Sequence, residues 1–509
     1  MPKTRINFAA GWTPDLPALN NPGLVRAAGV IPIGRDTFRP VGSWVSTGID
    51  ALAEYPRGHF PFRDLDGVGY NFVGTTTKLY RIGHGITPNG LEDVTRASGG
   101  PYATSASGRW EFASTRDRII ATNFADAIQT YVSGVSTKFA QLSAAAPKAK
   151  CIGFIGPLIV VGNLNDPILG ISPDALRSPN IDDPTDWPDP TDPNVAIAAQ
   201  ALGVIIDGDG GPVQQIVSGV EVGCVMQERQ LCRVEYVGGD VIVQIDRLEK
   251  TRGLLFPRLA CAFGRRLLFL AEDGFYLWDY TLADPEAVGE RVDRTFLTDL
   301  DQTYAHRAIM LKHTRFPVIA IGYPGAGNSG GTPNKIIFWN FKTGRWAGPT
   351  TFQHGLLARV LPPALSLDSD PDDVLENFED SFDDPPNPVG SDQFGAYDTS
   401  HVLGTFSGSG MAATFETGDL EHAPGAVARV NSVRPYVDDA LPTLAVDVRF
   451  DRREGEVDVT FDAERSLNSA GKYPVGRRGR THRYRFSVPA GGFEEATGAE
   501  VEFMPSGDR

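Results

Sequence analysis

The chain has 509 residues, more than one ordinary hydrophobic core of about 250 to 300 residues absorbs, so several packed units or a ring of repeats are expected. Its 56 glycines and 38 prolines break helices too often for a helical protein. A formal charge of −16 and a pI near 5.0 argue against tight, sequence-reading binding to duplex DNA.

Residues 1–60 hold Trp12-Thr-Pro-Asp-Leu-Pro17, Asn21-Pro-Gly23 and Ile31-Pro32, each biased to extended or turn backbone. No apolar leader opens the chain, and no run is long enough to span a bilayer, so neither secretion nor membrane insertion is expected. The segment predicts an extended arm laid over other surfaces. Its apolar residues, Trp12, Leu16, Leu19 and Ile31 among them, are candidates for a clamp between subunits.

From about residue 61 to 365 the texture changes to short strands separated by Gly, Asp or Asn: Tyr70–Val73, Lys78–Ile82, Arg118–Thr122 and Leu158–Val161. Val73-Gly-Thr75, Ala121-Thr-Asn123 and Val161-Gly-Asn163 end three of them alike, at intervals of 48 and 40 residues. Four-stranded propeller blades repeat at that length. Hairpins without ring closure would show the same local pattern, so the prediction is a mainly β, propeller-like, multi-sheet body. A Pro and Asp loop is expected over 177–197, followed by strands near Val220–Val225, Leu231–Val237, Val241–Ile245, Arg266–Leu270, Phe275–Asp279 and Lys335–Lys342.

Nine acidic residues and no basic one lie between Asp368 and Asp384, so 366–405 reads as an acidic loop or linker with connecting strands. Residues 406–509 alternate cleanly in Ala412–Phe415, Arg429–Arg434, Leu444–Phe450, Glu456–Phe461 and Tyr484–Val488, as a C-terminal β-sandwich with one wet face requires.

Reactive patterns are sparse. Gly327-Asn-Ser-Gly-Gly331 fits a nucleophile elbow in letters, but Thr332-Pro333-Asn334 leads into a strand where a helix is needed, so Ser329 reads as part of a hairpin loop. Asp207-Gly-Asp-Gly-Gly211 lacks the remaining ligands of a calcium loop. Asp273-Gly274 reads as a type I′ hairpin turn. The eight histidines never take metal-ligand spacing, and the cysteines Cys151, Cys224, Cys232 and Cys261 form no C-x-x-C pair, although Cys224 and Cys232 flank a hairpin where they could meet. No catalytic set, metal or cofactor is expected. One basic run stands out in the acidic chain: Lys472, Arg477, Arg478, Arg480, Arg483 and Arg485. It reads either as a contact for DNA phosphate or an acidic partner subunit, or as a solvated hairpin face.

Gly11-Trp-Thr-Pro-Asp-Leu-Pro17, Asn21-Pro-Gly23, Phe38-Arg-Pro40, Phe72–Tyr80, Ala121-Thr-Asn123, Tyr236–Asp240, Asp273-Gly-Phe-Tyr276, Val292-Asp-Arg-Thr-Phe296 and Gly479–Arg483 resemble the tail nozzle proteins of short-tailed bacteriophages, related in role to tail tubular protein B. The resemblance runs over nearly the whole chain and rests on turn and packing residues. It implies a non-enzymatic homohexamer in the virion tail, assembled in the host cytoplasm. The ring would sit below a tail adaptor ring, near tail fibre or spike proteins, and extend the channel that retains and conducts double-stranded DNA without sequence specificity. Six copies at −16 would surround the DNA with a repelling field if the charge lines the channel; it could equally lie on the outside. Two alternatives from other classes are a propeller that binds host-surface glycan and a propeller glycan hydrolase with two acids in a cleft.

Overall fold

The computed structural model describes residues 2–65, 67–83, 90–279, 284–361, 392–438, 441–450 and 459–507. Strands hold 48% of the described residues and helices 4%, so the fold is mainly β. The strands form seven four-stranded antiparallel blades and a β-sandwich; six blades are separate sheets, and the sixth blade in chain order continues into one sheet of the sandwich as an eight-stranded sheet.

The seven blades are consecutive in sequence. Blade 1 is Gly58–Arg63, Gly69–Gly74, Leu79–Ile82 and Leu91–Asp93, and blade 2 is Glu111–Ser114, Arg118–Thr122, Gln129–Val132 and Ala140–Gln141. Blade 3 runs from Lys148–Ile155 through Leu158–Asp166 and Gly170–Arg177 to Gly203–Ile205. Blade 4 comprises Val213–Val217, Val222–Gln227, Leu231–Gly238 and Ile242–Glu249. Blade 5 is Ala260–Phe263, Arg266–Ala271, Gly274–Asp279 and Glu286–Ala287; blade 6 is Ile309–Lys312, Val318–Tyr323, Lys335–Asn340 and Arg345–Thr351. Each innermost strand lies beside the innermost strand of the next blade, and Leu356–Val360 of blade 7 lies beside Gly58–Arg63 of blade 1. The sheets therefore close into a β-propeller, which leaves only short outer edges.

Closure rests on a hydrogen-bonded overlap of distant chain segments. Blade 7 takes Leu356–Val360, Gln393–Tyr397 and Leu403–Thr405 from one part of the chain, and Val45–Ser46, more than 300 residues earlier, as its outer strand. Trp44 locks this overlap by donating its indole N–H to Ala396 O at 2.9 Å. Gly404 lies against the Trp44 ring so closely that a Cβ would approach it to 2.2 Å. The apolar pleats that point sideways from each blade fill the wedges between neighbours. Phe62, Phe72, Tyr131 and Phe139 do so between blades 1 and 2, and Val160, Val213, Val225 and Val234 between blades 3 and 4.

The periodic strand endings Val73, Ala121 and Val161 lie on the second strands of blades 1, 2 and 3, as a blade repeat requires. Blade 7 extends the propeller past 365, because 393–397 and 403–405 are its strands rather than connectors. The acidic block 368–384 lies outside the described residues. So do 456–458 of the strand expected over 456–461, and 459–461 carry no strand.

The N-terminal residues are extended, yet they are threaded through the sandwich rather than laid on it. Leu24–Ala28 is bonded between Arg345–Thr351 of blade 6 and Ala413–Thr417, which continues to Thr481–Val488 and Thr443–Arg449. The facing sheet runs Val30–Pro32, Phe38–Pro40, Ala496–Pro505, Ala428–Val437 and Tyr473–Gly479, with Lys3–Asn7 also paired to Ala496–Pro505. Between the two sheets Phe8 stacks on Phe415, ring centroids 4.7 Å apart, and meets Phe486 edge-on. This core is continuous with that of blades 5 and 6 through Trp12, Trp346, Phe275 and Phe296.

Two local expectations are corrected. Cys224 is paired in register with Arg233, and Cys232 with Val225, so the pleat sends the two thiols to opposite faces of blade 4 and all four cysteines are free. In the hairpin at Asp273, Ala271 pairs with Gly274, so Glu272 and Asp273 occupy the turn and neither has the positive φ of a type I′ turn. Gly274 instead closes the hairpin at φ 146°, where a Cβ would strike the Asp293 carboxylate at 2.3 Å.

Candidate functional site at one mouth of the propeller channel

All innermost strands run the same way, so the residues that precede them gather on one rim. Arg57 stands before Gly58, Arg109 before Glu111, Arg258 before Ala260 and Arg307 before Ile309. Four blades thus deliver an arginine to one end of the channel.

Glu111 sits between two of them. Its Oε1 accepts from Arg109 Nε at 2.6 Å and from Arg258 Nε at 3.1 Å, and all three side chains are largely buried. Burial pushes the Glu111 carboxyl up, but the two guanidinium groups more than offset it and leave it below the usual range. Arg258 Nη2 also donates to Arg57 O at 3.0 Å and Trp110 O at 2.5 Å, while Arg109 Nη2 donates to Gln214 O at 2.9 Å. Arg258 has φ 64°, a left-handed backbone that a residue with a Cβ holds only when its surroundings enforce it. The enforcers are Gln215 Oε1, which accepts from Arg258 N, and Met310 N, which donates to Arg258 O.

Tyr55 lies amid the arginines. Its hydroxyl donates to Gly355 O, and Arg307 rests over its ring at 5.0 Å. Burial raises its pKa, and the charges of Arg307, Arg57 and Arg258 partly counter that. Glu54, bonded to Thr77 N and Thr77 Oγ1, is the second carboxylate of this rim. The loop Gly327–Gly331 reaches the same place, because Arg307 Nη1 donates to Gly330 O at 3.1 Å and Gly331 packs on the Tyr304 ring. Ser329 is exposed there, and among the described residues no histidine is hydrogen-bonded to it.

Below the rim a cavity of about 490 Å³ descends into the channel, lined by His59, Phe60, Phe112, Gln215, Arg258 and Leu356 among others. Phe60 and Phe112 stack at 5.8 Å with an interplanar angle of 16°. His59 bridges Tyr397 Oη and Arg359 O, both at 2.8 Å, and burial pushes it down to about 4, so it is neutral.

The residues singled out by the sequence lie elsewhere. Lys472 pairs with Glu502 at 2.6 Å, Arg483 and Arg485 share Glu416 at 2.6 and 2.9 Å, and Arg477 reaches Asp462 at 3.3 Å. Arg478 donates to Ser506 O, and Arg480 is half-buried at the hairpin turn. Three of the six cations are thus largely neutralised inside the sandwich, and Arg477 and Arg478 are the exposed ones. Trp12 is buried under the sandwich with its indole N–H on Val25 O, and Ile31 packs against blade 6. Both are spent within this chain; Leu16 and Leu19 are half-buried, Leu19 bridging to Asp419. The sequence reading missed the arginine rim. Its signal was an arginine one or two residues before four of the innermost strands, legible only once the blades were counted. Among the described residues no group of three or more histidine, cysteine or carboxylate side chains could hold a metal ion, and no helix is long and apolar enough to cross a membrane.

No family model matches the chain, and a search of curated proteins returns no match. Among solved structures, the extracellular domain of the putative one component system BT4673 from B. thetaiotaomicron aligns over 82% of this chain and 48% of its own, at 8% identity and a TM-score of 0.40. The Neurospora crassa Pan2 WD40 domain aligns over 71% and 95%, at 9% and 0.39, and the computationally designed Ika8 protein over 70% and 97%, at 10% and 0.35. TM-scores this low carry nothing about function; the propeller is read from its own strand pairing.

Proposed function

We propose that the chain is a structural, non-catalytic subunit of a bacteriophage tail, which assembles as a hexameric nozzle that extends the DNA exit channel. The observation that most supports this reading joins the segments by which the sequence resembles nozzle proteins. Asp15, in Gly11–Pro17, accepts from Arg294 N at 2.8 Å, Thr295 N at 3.0 Å and Thr295 Oγ1 at 2.5 Å, all in Val292–Phe296. Asn21 and Gly23 join the same node: Asn21 Oδ1 accepts from Gly23 N and Thr13 Oγ1. Segments 280 residues apart therefore form one joint between propeller and sandwich, as parts of a shared architecture would. A propeller whose ring and sandwich are laced by one N-terminal thread makes a rigid block suited to repeated stacking, and its net charge of −16 disfavours adhesion of passing DNA.

Light scattering coupled to size-exclusion chromatography, with electron microscopy of any ring, tests the assembly. Peptide mass spectrometry of purified virions tests the location. A chain that remains monomeric alone and with a tail adaptor ring would defeat the proposal, as would ester, peptide or glycoside turnover lost in Ser329→Ala.

A further inference from the structure

The channel mouth concentrates positive charge in a chain that is negative overall. Arg57, Arg109, Arg258 and Arg307 face two carboxylates, Glu54 and Glu111, against a whole-chain charge of −16. Guanidinium groups held away from water need partners, and a shortfall of carboxylate in such a place favours an anion from outside.

Arg258 is the one that reaches the cavity. Its Nε and Nη2 are committed to Glu111, Arg57 O and Trp110 O, whereas Nη1 has no protein hydrogen bond among the described residues. The left-handed backbone at φ 64° fixes that orientation, and residues held so off the common conformations gather at ligand sites. Around it the wall is mixed: the stacked Phe60 and Phe112, Met310, Leu311 and Leu356 form its apolar side, while Gln215, neutral His59, Arg63, Glu111 and the Arg359–Asp392 ion pair form its polar side. A volume of about 490 Å³, an apolar side built on an aromatic pair and a facing set of charged groups with one more guanidinium than carboxylate describe a small-molecule site that favours an anion.

We propose that this cavity binds a small organic monocarboxylate with an aromatic or branched apolar body, its carboxylate taken by the Nη1 edge of Arg258 and its body packed on Phe60, Phe112 and Leu356. A bare inorganic anion leaves the apolar wall unfilled, and a cation of the same shape meets the arginine field. The site lies within one propeller and stands whether or not subunits form a ring.

Phenylacetate titrated calorimetrically into the full chain is the probe, with phenethylamine and inorganic phosphate as the cationic and body-less controls. One phenylacetate per chain is expected, with both controls bound at least tenfold more weakly. Arg258→Gln should weaken phenylacetate at least thirtyfold. Because that substitution also removes bonds between blades, Gln215→Glu supplies a second arm: it sets a carboxylate beside Arg258 and should suppress phenylacetate binding as well, with circular dichroism verifying the fold. Failure of phenylacetate to bind at millimolar concentration, binding of phenethylamine or phosphate as tight as that of phenylacetate, or unchanged affinity in a folded variant would overturn the assignment.

Discussion

Asp15 caps a helix that it does not belong to. The seven-residue helix Asp293–Asp299 begins after Val292, which has no side-chain cap, and the Asp15 carboxylate supplies the missing acceptor for Arg294 N and Thr295 N while also bonding Thr295 Oγ1. With only 6% of its side chain exposed, Asp15 makes these bonds away from water, where a charged acceptor is most effective. Asp15→Ala is expected to destabilise the chain by about 1 to 2 kcal/mol, as loss of a helix cap does. Urea unfolding of Asp15→Ala, Thr295→Val and the double variant measures it, and a positive coupling between the two sites is the expected sign.

The stability of the chain should fall in mild acid. His59, His313, His354 and His482 are held down to about 4 and His422 to about 3, in each case chiefly by burial. Between those values and the ordinary 6.5 the unfolded chain binds more protons than the folded one, so stability is full above pH 6.5 and is lost as pH drops toward 4. Asp293 works the other way: burial lifts its carboxyl to about 6, so the folded chain gains stability from its protonation as pH drops from 6 toward 3.8. Five histidines against one aspartate give a net acid destabilisation. His482, fully buried, with neither ring nitrogen in hydrogen-bonding geometry to a partner among the described residues and its ring 5.4 Å from that of His422, is the group to change. Melting temperatures of His482→Phe and the parent at pH 7.5, 6 and 5 should show a shallower acid slope in the variant.

Removing residues 1–40 should collapse the sandwich. Six prolines and little apolar periodicity give this segment the look of a dispensable arm, and a soluble body would be the expectation from sequence. In the fold it supplies Lys3–Asn7, Leu24–Ala28, Val30–Pro32 and Phe38–Pro40 to the two sheets and Phe8 to the space between them. Expression of the truncated chain is therefore expected to give aggregated protein, since edges and a core face are left open. Recovery of a monodisperse, fully β protein by size exclusion and circular dichroism would contradict this.

The overlap that closes the ring offers a gentler cut. Gly404→Ala places a methyl group where the Trp44 ring lies 2.2 Å away, and overpacking of this kind costs about 1 to 3 kcal/mol. Amide hydrogen exchange should accelerate in Val45–Ser46 and Leu403–Thr405 first, leaving blades 3 and 4 unchanged.

Within the basic run, charge and stability should separate. Glu416, 6% exposed, holds both Arg483 and Arg485, so Glu416→Gln takes the carboxylate from two partly exposed cations, one of which keeps the Phe461 ring and the other Asp419 at 4.0 Å, and is expected to cost about 1 to 3 kcal/mol. Arg477→Ala and Arg478→Ala, at exposed positions, should stay within about 0.5 kcal/mol of the parent. Chemical unfolding of the three variants distinguishes the two groups.

Much of the fold was written locally. Val73 and Ala121 lie at the ends of their strands and Val161 inside Leu158–Asp166, but all three fall on the second strand of successive blades, and because pleat alternation and turn chemistry act between chain neighbours, strand positions and the blade period could be read from the sequence. Which strands pair was not written there, since backbone ladders bond through groups that every residue carries. Val45–Ser46 looked like part of an arm, and only packing made it the outer strand of blade 7, beside Leu403–Thr405. The same holds for charge. Arg483 and Arg485 read as a surface until the fold set Glu416 between them, and Arg57, Arg109, Arg258 and Arg307, unremarkable where they stand in sequence, became one electrostatic feature only because a closed ring brings the starts of its innermost strands to a common rim.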